Sequence, residues 1–246
     1  MDSGFYAACT ALMSKTQALE SVANNLANAN TSGFKSEHNQ FRSVLAEASA
    51  TGSSPLNRAV NNYGVLSGTR LDLSQGSLEP TGNDLDFAID GPGFFVVQTA
   101  AGRMYTRNGS FQIAANGQLI TAAGDPVMGE KGVINVSGGK VHVGPDGAIS
   151  VNGALAGRLK IVDFPSQTEF TPEGKTYYSA SARSEVAATH ASVQQGVLEG
   201  SNVNAVSSAV NLIDVQRQAE MMQRVFNFFS SDLNKTATEE LPRVNS

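Results

Sequence analysis

Residues 212–233, LIDVQRQAEMMQRVFNFFSSDL, carry the pattern that decides the fold of this chain. The apolar positions recur in alternating steps of three and four residues, at Leu212, Val215, Ala219, Met222, Phe226, Phe229 and Leu233. This is the a/d spacing of a coiled-coil seam, which one helix cannot bury by itself. The pattern therefore predicts a long C-terminal helix that packs against another helix.

The N-terminal stretch provides the candidate partner helix, which we expect to run from about residue 3 to residue 29. The same alternating spacing is found at Phe5, Ala8, Leu12, Lys15, Leu19, Val22, Leu26 and Ala29. Lys15 is the only charged member of this row, and burying an unpaired lysine costs several kcal/mol. We therefore expect Lys15 either to be paired, with Glu20 or a carboxylate of a neighbouring subunit as its partner, or to extend its charged end to the edge of the seam.

Two arrangements of the end helices are compatible with these rows. The helices could cover the core of the chain itself, since periods of 3.5 and 3.6 are hard to separate over about three heptads. Alternatively they could pack in an assembly of several chains. A second apolar row at Met221, Val225 and Phe228 favours assembly, because a helix that is apolar on several sides is usually buried on several sides.

Composition and charge exclude several classes of partner. Only 16% of the 246 residues are charged and the net charge is −5, so much of the surface is expected to be covered by other protein. The absence of a basic cluster argues against nucleic acid. No stretch approaches the roughly 20 apolar residues of a membrane span, and Met1–Tyr6 lacks the positive start of a cleaved secretory signal.

Between the two helical stretches the apolar period changes to two. Phe94–Val97 predicts a strand buried on both faces, which pairs with Met104–Arg107 across a turn at Ala101-Gly102. Further short strands with intervening glycine turns are typical of an all-β sandwich or irregular barrel. The fold class is thus mainly β with α, with N- and C-terminal helices paired as a coiled coil that carries a central irregular β sandwich or barrel.

The expected boundaries follow from these changes of pattern. They are residues 1–35 for the N-terminal helix, 36–64 for a linker, 65–190 for the central β domain, and 191–246 for a return segment and the C-terminal helix. At the start of the linker a weaker amphipathic pattern is carried by Phe34, Phe41, Val44 and Leu45. Asn204, Ser201 or Asn202 can cap the last helix, because their side-chain oxygens accept hydrogen bonds from a first helical turn.

We expect no catalytic residue, no metal site and no cofactor. The three histidines lie in three separate segments, at His38, His142 and His190, and neither His142 nor His190 has a local nucleophile or carboxylate pattern. Three aspartates share the outer face of one predicted strand, at Asp84, Asp86 and Asp90. Their spacing is not that of a calcium loop. Gly91-Pro92-Gly93 is a turn, since a phosphate loop would need a lysine and a following helix.

Several long segments resemble the bacterial flagellar rod and hook family. They are Ala23 to Lys35 (ANNLANANTSGFK), Gln75 to Asn83 (QGSLEPTGN), Leu85 to Val97 (LDFAIDGPGFFVV), Tyr105 to Phe111 (YTRNGSF) and Val193 to Val206. The resemblance covers nearly the whole chain. Within the family, Glu199-Gly200-Ser201-Asn202-Val203-Asn204 is more similar to the proximal-rod type than to the distal-rod type.

The resemblance implies a structural, non-enzymatic subunit of the flagellar basal body. Such proteins leave the cell through the flagellar type III export apparatus without a cleaved signal, and they assemble helically with copies of themselves and other axial proteins into a rod that crosses the periplasm and transmits torque. The implied interface residues are Phe5, Leu12, Leu19, Val22, Asn24, Asn25, Leu26, Leu212, Val215, Met222, Phe226, Phe229 and Leu233. The alternative is a soluble β-domain binding module or hydrolase with helical ends.

Overall fold

The computed structural model describes residues 2–43, 64–136, 138–174 and 176–239. The chain divides into two compact units. The helical unit consists of Met1–Leu26, Glu37–Arg70 and Asn204–Ser246, and the β unit consists of Ala27–Ser36 and Leu71–Val203. Each unit is therefore built from segments that are far apart in sequence.

The helical unit contains two long helices and one strand pair. Helix α1 is Asp2–Ala27 and the C-terminal helix α2 is Ala205–Glu239. Strands β1 (Glu37–Ser43) and β2 (Gly64–Leu71) pair with each other. Asn204 caps α2, because its side-chain Oδ1 accepts a hydrogen bond from the Ser207 amide at 3.0 Å. Of the three candidate caps Ser201, Asn202 and Asn204, it is thus Asn204 that caps the helix.

The chain turns after α1 within residues 28–33 (NANTSG), where asparagine and glycine favour a turn. The helix ends two residues earlier than expected, and the Thr31 amide donates to the Asn28 carbonyl at 3.0 Å. Gly33 has a φ of +71°, a left-handed conformation that glycine adopts without steric cost.

Strand β1 replaces the amphipathic segment expected at the start of the linker. Asn25 on α1 holds this strand by two reciprocal hydrogen bonds. Its Nδ2 donates to the Glu37 carbonyl at 2.7 Å, and the Glu37 amide donates to its Oδ1 at 2.9 Å. Because these bonds and the pairing with β2 satisfy the backbone, tertiary context decides the conformation here. Val44, Leu45 and the rest of the expected linker up to residue 63 lie outside the described residues.

The β unit contains short strands connected by tight turns. In chain order they are β3 (Leu78–Pro80), β4 (Phe87–Asp90), β5 (Phe94–Thr99), β6 (Gly102–Thr106), β7 (Phe111–Ile113), β8 (Leu119–Thr121), β9 (Met128–Gly129), β10 (Gly132–Val133), β11 (Val141–Val143), β12 (Ala148–Val151), β13 (Ala154–Arg158), β14 (Ile161–Asp163), β15 (Thr171–Glu173), β16 (Tyr177–Ser179), β17 (Val186–Ala187), β18 (Ser192–Gln195) and β19 (Val197–Glu199). A single 3₁₀ turn, Ala182–Ser184, precedes β17 in this part of the chain.

These strands pair antiparallel in several small sheets around one larger sheet. The larger sheet has the order β15-β16-β6-β5-β14-β17, and β11, β12 and β13 form a three-stranded sheet. The remaining pairs are β3 with β19, β4 with β18, β7 with β8, and β9 with β10. The predicted hairpin of β5 and β6 is confirmed, with Thr99 opposite Gly102. The described strands form no closed barrel, so the barrel alternative for the central β domain was wrong.

Both faces of β5 are buried, as its apolar sequence predicts. Phe95 and Val97 belong to the larger apolar cluster, which includes Phe87, Phe111 and Ile149. On the other face, Phe94 and Val96 pack with a smaller cluster formed by Tyr105, Val162, Phe164 and Tyr178. The β unit is thus organised around a strand that separates two cores.

Contrary to the sequence prediction, Asp86 does not lie on an outer strand face with Asp84 and Asp90. It is buried, with 5% of its surface exposed, whereas Asp84 and Asp90 are exposed. Its carboxylate accepts hydrogen bonds from the Thr81 hydroxyl at 2.7 Å and from Asn83 Nδ2 at 3.2 Å. Asp86 lies directly before strand β4, which begins at Phe87, and forms an isolated β-bridge with Ser110. It therefore does not share the exposed face of Asp84 and Asp90.

Candidate assembly surface

The packed face of α1 is broader than the predicted row of apolar residues. The most buried described positions of the helix are Ala11, Ser14, Ala18 and Asn25. Leu12, Lys15, Leu19, Val22 and Leu26 follow them along the helix and are half-buried. Neighbouring residues lie about 100° apart around an α-helix, so the two rows are adjacent strips of one wide face. Small side chains lie at its most buried strip because they allow close packing.

Lys15 is paired as its position in the row predicts, but with a neutral group. Its Nζ donates a hydrogen bond to Oε1 of Gln218 on α2, at 2.7 Å. Gln218 lies in the stretch of α2 that carries the C-terminal apolar row, so the two helices come into contact at this point. A coiled coil along their full length stays a prediction.

Helix α2 has two apolar faces on opposite sides. Leu212, Val215, Ala219, Met222 and Phe226, the predicted row, are half-buried. A second set of large apolar side chains, which includes the predicted second row, is 40–76% exposed: Val206, Val210, Ile213, Met221, Val225 and Phe228. At about 100° per residue, the centres of the two faces lie roughly 150° apart. We call the second set the exposed apolar face of α2.

The other predicted interface residues divide into three groups. Asn25 is buried and bonds Glu37 within the helical unit, and Asn24 beside it is exposed. Phe5, Phe229 and Leu233 lie in the helices, and their side chains fall outside the described part of the structure. A contact between any of these residues and a neighbouring subunit stays a prediction.

Sequence reasoning missed a buried group of charges in the β unit. Glu199 accepts hydrogen bonds from Lys35 Nζ at 2.5 Å and from Arg107 Nη1 at 3.0 Å. All three side chains are almost completely buried. Each of the three residues lies in a different segment that resembles the family. A charged residue inside such a motif was the sequence signal that could have indicated this buried group. Burial lowers the pKa of Lys35 and of Arg107, and the Glu199 carboxylate opposes both shifts.

The described residues contain neither a metal cluster nor a membrane-spanning helix. Within the described ranges, no group of three or more His, Cys, Asp or Glu side chains is arranged to hold a metal ion. Among the same residues, neither helix combines the length and apolarity needed to cross a bilayer.

The long terminal helices and the exposed apolar face of α2 define a class of protein, the structural subunit of an assembly. Family models match three parts of the chain. Residues 5–35 match the flagella basal body rod protein model, residues 88–151 match the D1 domain of the flagellar hook protein FlgE/F/G, and residues 194–237 match the C-terminal part of the flagellar basal body rod FlgEFG proteins.

Whole-chain relatives agree with these matches. The flagellar basal-body rod protein FlgF of Caulobacter vibrioides is 35% identical over all of both chains. FlgF of Salmonella typhimurium is 34% identical over 98% of both, and FlgG of Agrobacterium fabrum is 31% identical over 89% of this chain and 92% of its own. The chain belongs to the family of flagellar basal-body rod proteins.

Membership in this family confirms the structural, non-enzymatic interpretation. The hydrolase or binding-module alternative is wrong, since the relatives that match the full length are structural rod proteins. The FlgF relatives are also consistent with the similarity of Glu199–Asn204 to the proximal-rod type.

Proposed function

We propose that this chain is a subunit of the proximal rod of the flagellar basal body and polymerises helically through its terminal helices. In this role it contacts copies of itself and other axial proteins, crosses the periplasm as part of the rod and transmits torque. The FlgF names of two relatives with near-complete coverage support the assignment to the proximal rod.

The exposed apolar face of α2 is the observation that carries this proposal. Burying a large apolar side chain contributes about 1.5–3 kcal/mol, and six such side chains lie on this face at 40–76% exposure. A helix from a neighbouring subunit that covered the face would remove this surface from water. Because the opposite side of α2 is already half-buried within the subunit, the helix can hold its own chain and a neighbour simultaneously.

Export completes the proposed role. A rod subunit must reach the far side of the inner membrane before it can assemble, and we propose that this chain is passed unfolded through the flagellar type III export apparatus, without a cleaved signal. The resemblance of the N-terminal segment Ala23–Lys35 to the family signature supports this route.

The test of the assembly role is a double substitution on the exposed face, Val210→Gln with Ile213→Gln. Glutamine has a higher helix propensity than valine or isoleucine, so the helix itself is preserved while the apolar surface is lost. In cells whose own copy of the gene is deleted, we expect the variant to be produced but largely absent from purified basal bodies, with loss of motility.

The matched control is Leu155→Gln on β13, since Leu155 is also strongly exposed, at 75%, but lies in the β unit. This variant is expected to enter basal bodies as the unchanged chain does. Normal incorporation of the α2 double variant, or an equal loss with Leu155→Gln, would show that the exposed face of α2 is not an assembly surface.

A further inference from the structure

The buried cluster of Lys35, Arg107 and Glu199 contains two cations and one carboxylate. Both cations bond directly to Glu199, whereas Asp72 and Asp163 act on Lys35 and Arg107 respectively through charge alone. Glu199 also accepts a hydrogen bond from the Gly76 amide at 3.0 Å, and Lys35 Nζ also donates one to the Ser74 carbonyl at 2.5 Å. Within the described residues, Arg107 Nε is a buried nitrogen that has no hydrogen-bond partner. A buried ion cluster of this kind depends on its one carboxylate, because an unpaired buried charge is very unfavourable.

The three residues come from parts of the chain with different anchoring. Arg107 follows β6 of the large sheet, donates to the carbonyls of Ile89 and Gly91, and lies over the Phe94 ring with its Cζ 5.4 Å from the centroid. It is therefore fixed in the core independently of Glu199. Lys35 belongs to residues 27–36, where Phe34 is the one large apolar side chain that is buried.

Residues 27–36 and 197–203 are held to the β unit mainly by polar contacts. The Gly33 amide donates to the Glu199 carbonyl at 2.7 Å, and the Ser36 amide donates to Oδ1 of Asn202 at 2.8 Å. The Lys35 amide donates to the Tyr178 hydroxyl at 2.9 Å. None of the residues in these two segments belongs to either apolar cluster. Residues 197–199 are also attached by the pairing of β19 with β3. The attachment of the two segments to each other and to the rest of the β unit thus rests on this pairing and on hydrogen bonds that Glu199 and its neighbours organise.

We propose that Lys35, Arg107 and Glu199 form a latch that fastens the two connecting segments, residues 27–36 and 197–203, to the β unit. When a substitution removes the charge of Glu199, the two buried cations Lys35 and Arg107 face each other without a bonded carboxylate. The least costly relief is for Lys35 to move into water with its segment, because Arg107 keeps two carbonyl acceptors and an aromatic contact. The segments then detach together, while the two apolar clusters remain folded.

The position of these segments in the chain gives the latch a consequence for the subunit. Residues 27–36 connect α1 to β1, and residues 197–203 lead from β18 towards α2. A closed latch keeps both segments ordered on the β unit, and an open latch frees both at once. The device goes beyond the proposed rod function, since it concerns the order of the connections and not the assembly faces.

Hydrogen exchange of the full chain, followed by mass spectrometry, tests the latch with three single variants. Glu199→Gln keeps the shape of the side chain and removes its charge. We expect exchange in residues 28–36 and 197–203 to become roughly 100-fold faster or more, with β5 unchanged. Asp146→Asn is the matched control, because it removes a carboxylate that pairs with Arg158 at 2.7 Å on the surface. It should change neither segment.

Lys35→Met separates a latch from a general loss of stability. Arg107 still holds Glu199 in this variant, so exchange should become faster in residues 28–36 and stay slow in residues 197–203. If Glu199→Gln unfolds the whole β unit, the selective response of Lys35→Met still distinguishes a latch from a general loss of stability. Unchanged exchange in residues 28–36 of Lys35→Met, or equal acceleration throughout the β unit, would overturn the proposal.

Discussion

At the residue scale, Gly33 and Gly82 show two different reasons why a position requires glycine. One is a left-handed backbone conformation, and the other is the lack of space for a Cβ atom. Gly33 and Gly82 have nearly the same φ, +71° and +73°. A Cβ added to Gly33 would lie 2.2 Å from the Asn108 amide nitrogen, whereas a Cβ on Gly82 would have no atom within 4 Å. Gly33 is therefore required both by the turn after α1 and by the close approach of Asn108.

The first prediction is that alanine is tolerated differently at these two glycines. Gly82→Ala should lower the free energy of unfolding of the β unit by about 1–2 kcal/mol, the cost of a left-handed conformation for a residue with a Cβ. Gly33→Ala should cost clearly more, because the backbone must also move away from Asn108. Urea denaturation of both variants measures the difference, and equal losses would contradict the close approach at Gly33.

At the element scale, the ends of the helices depend on particular side chains. Helix α2 begins directly after Asn204, whose Oδ1 accepts the Ser207 amide. Without this cap one more amide of the first turn would lack an acceptor, because the first four amides of a helix have no partner within it. The start of α2 is therefore set by a local hydrogen bond that the sequence makes recognisable.

The second prediction concerns the same substitution at two positions of this region. Asn204→Ala should destabilise the start of α2 by about 0.5–2 kcal/mol, the usual cost of losing a cap. Asn211→Ala, at an exposed position inside the helix, should instead stabilise it by a few tenths of a kcal/mol, since alanine has the higher helix propensity. Amide exchange in residues 205–210 reports both effects. A similar response to both changes would rule out the capping role of Asn204.

At the scale of the whole molecule, the β unit is not one continuous stretch of chain. It takes Ala27–Ser36 from before β1 and extends to Val203, beyond the expected domain of residues 65–190. A fragment with those boundaries lacks Lys35 and Glu199, and it also lacks Val193 of the larger apolar cluster. Arg107 would then be buried without its carboxylate.

The third prediction compares two fragments of the β region. Residues 27–203 should unfold cooperatively, and residues 65–190 should be less stable by several kcal/mol, since breaking a buried ion pair alone costs about 3–5 kcal/mol. Thermal unfolding followed by circular dichroism measures both. Equal stability of the two fragments would mean that the ion cluster and β18 contribute little to the β unit, and it would favour the shorter domain.

The sequence by itself determined the features that depend on neighbours along the chain. The apolar rows at alternating steps of three and four predicted both helices. The buried run at Phe94–Val97 and the turn at Ala101-Gly102 predicted the β5–β6 hairpin. Asn204 was one of three candidate caps for the start of α2. The family resemblance came from contiguous segments in the same way. These signals are readable because helix periodicity, turn chemistry and capping act over a few residues.

Only the tertiary structure decided which distant groups meet. Lys35, Arg107 and Glu199 are separated by 92 and 164 positions in the pairs they form, and no local pattern relates them. The strand conformation of Glu37–Ser43 depends on Asn25 and β2, and the burial of Asp86 depends on Thr81 and Asn83. The widest difference lies on α2: sequence finds two apolar rows, but only packing shows that one is half-buried and the opposite one exposed. Burial and long-range pairing are properties of the folded chain, so a short segment of sequence does not determine them.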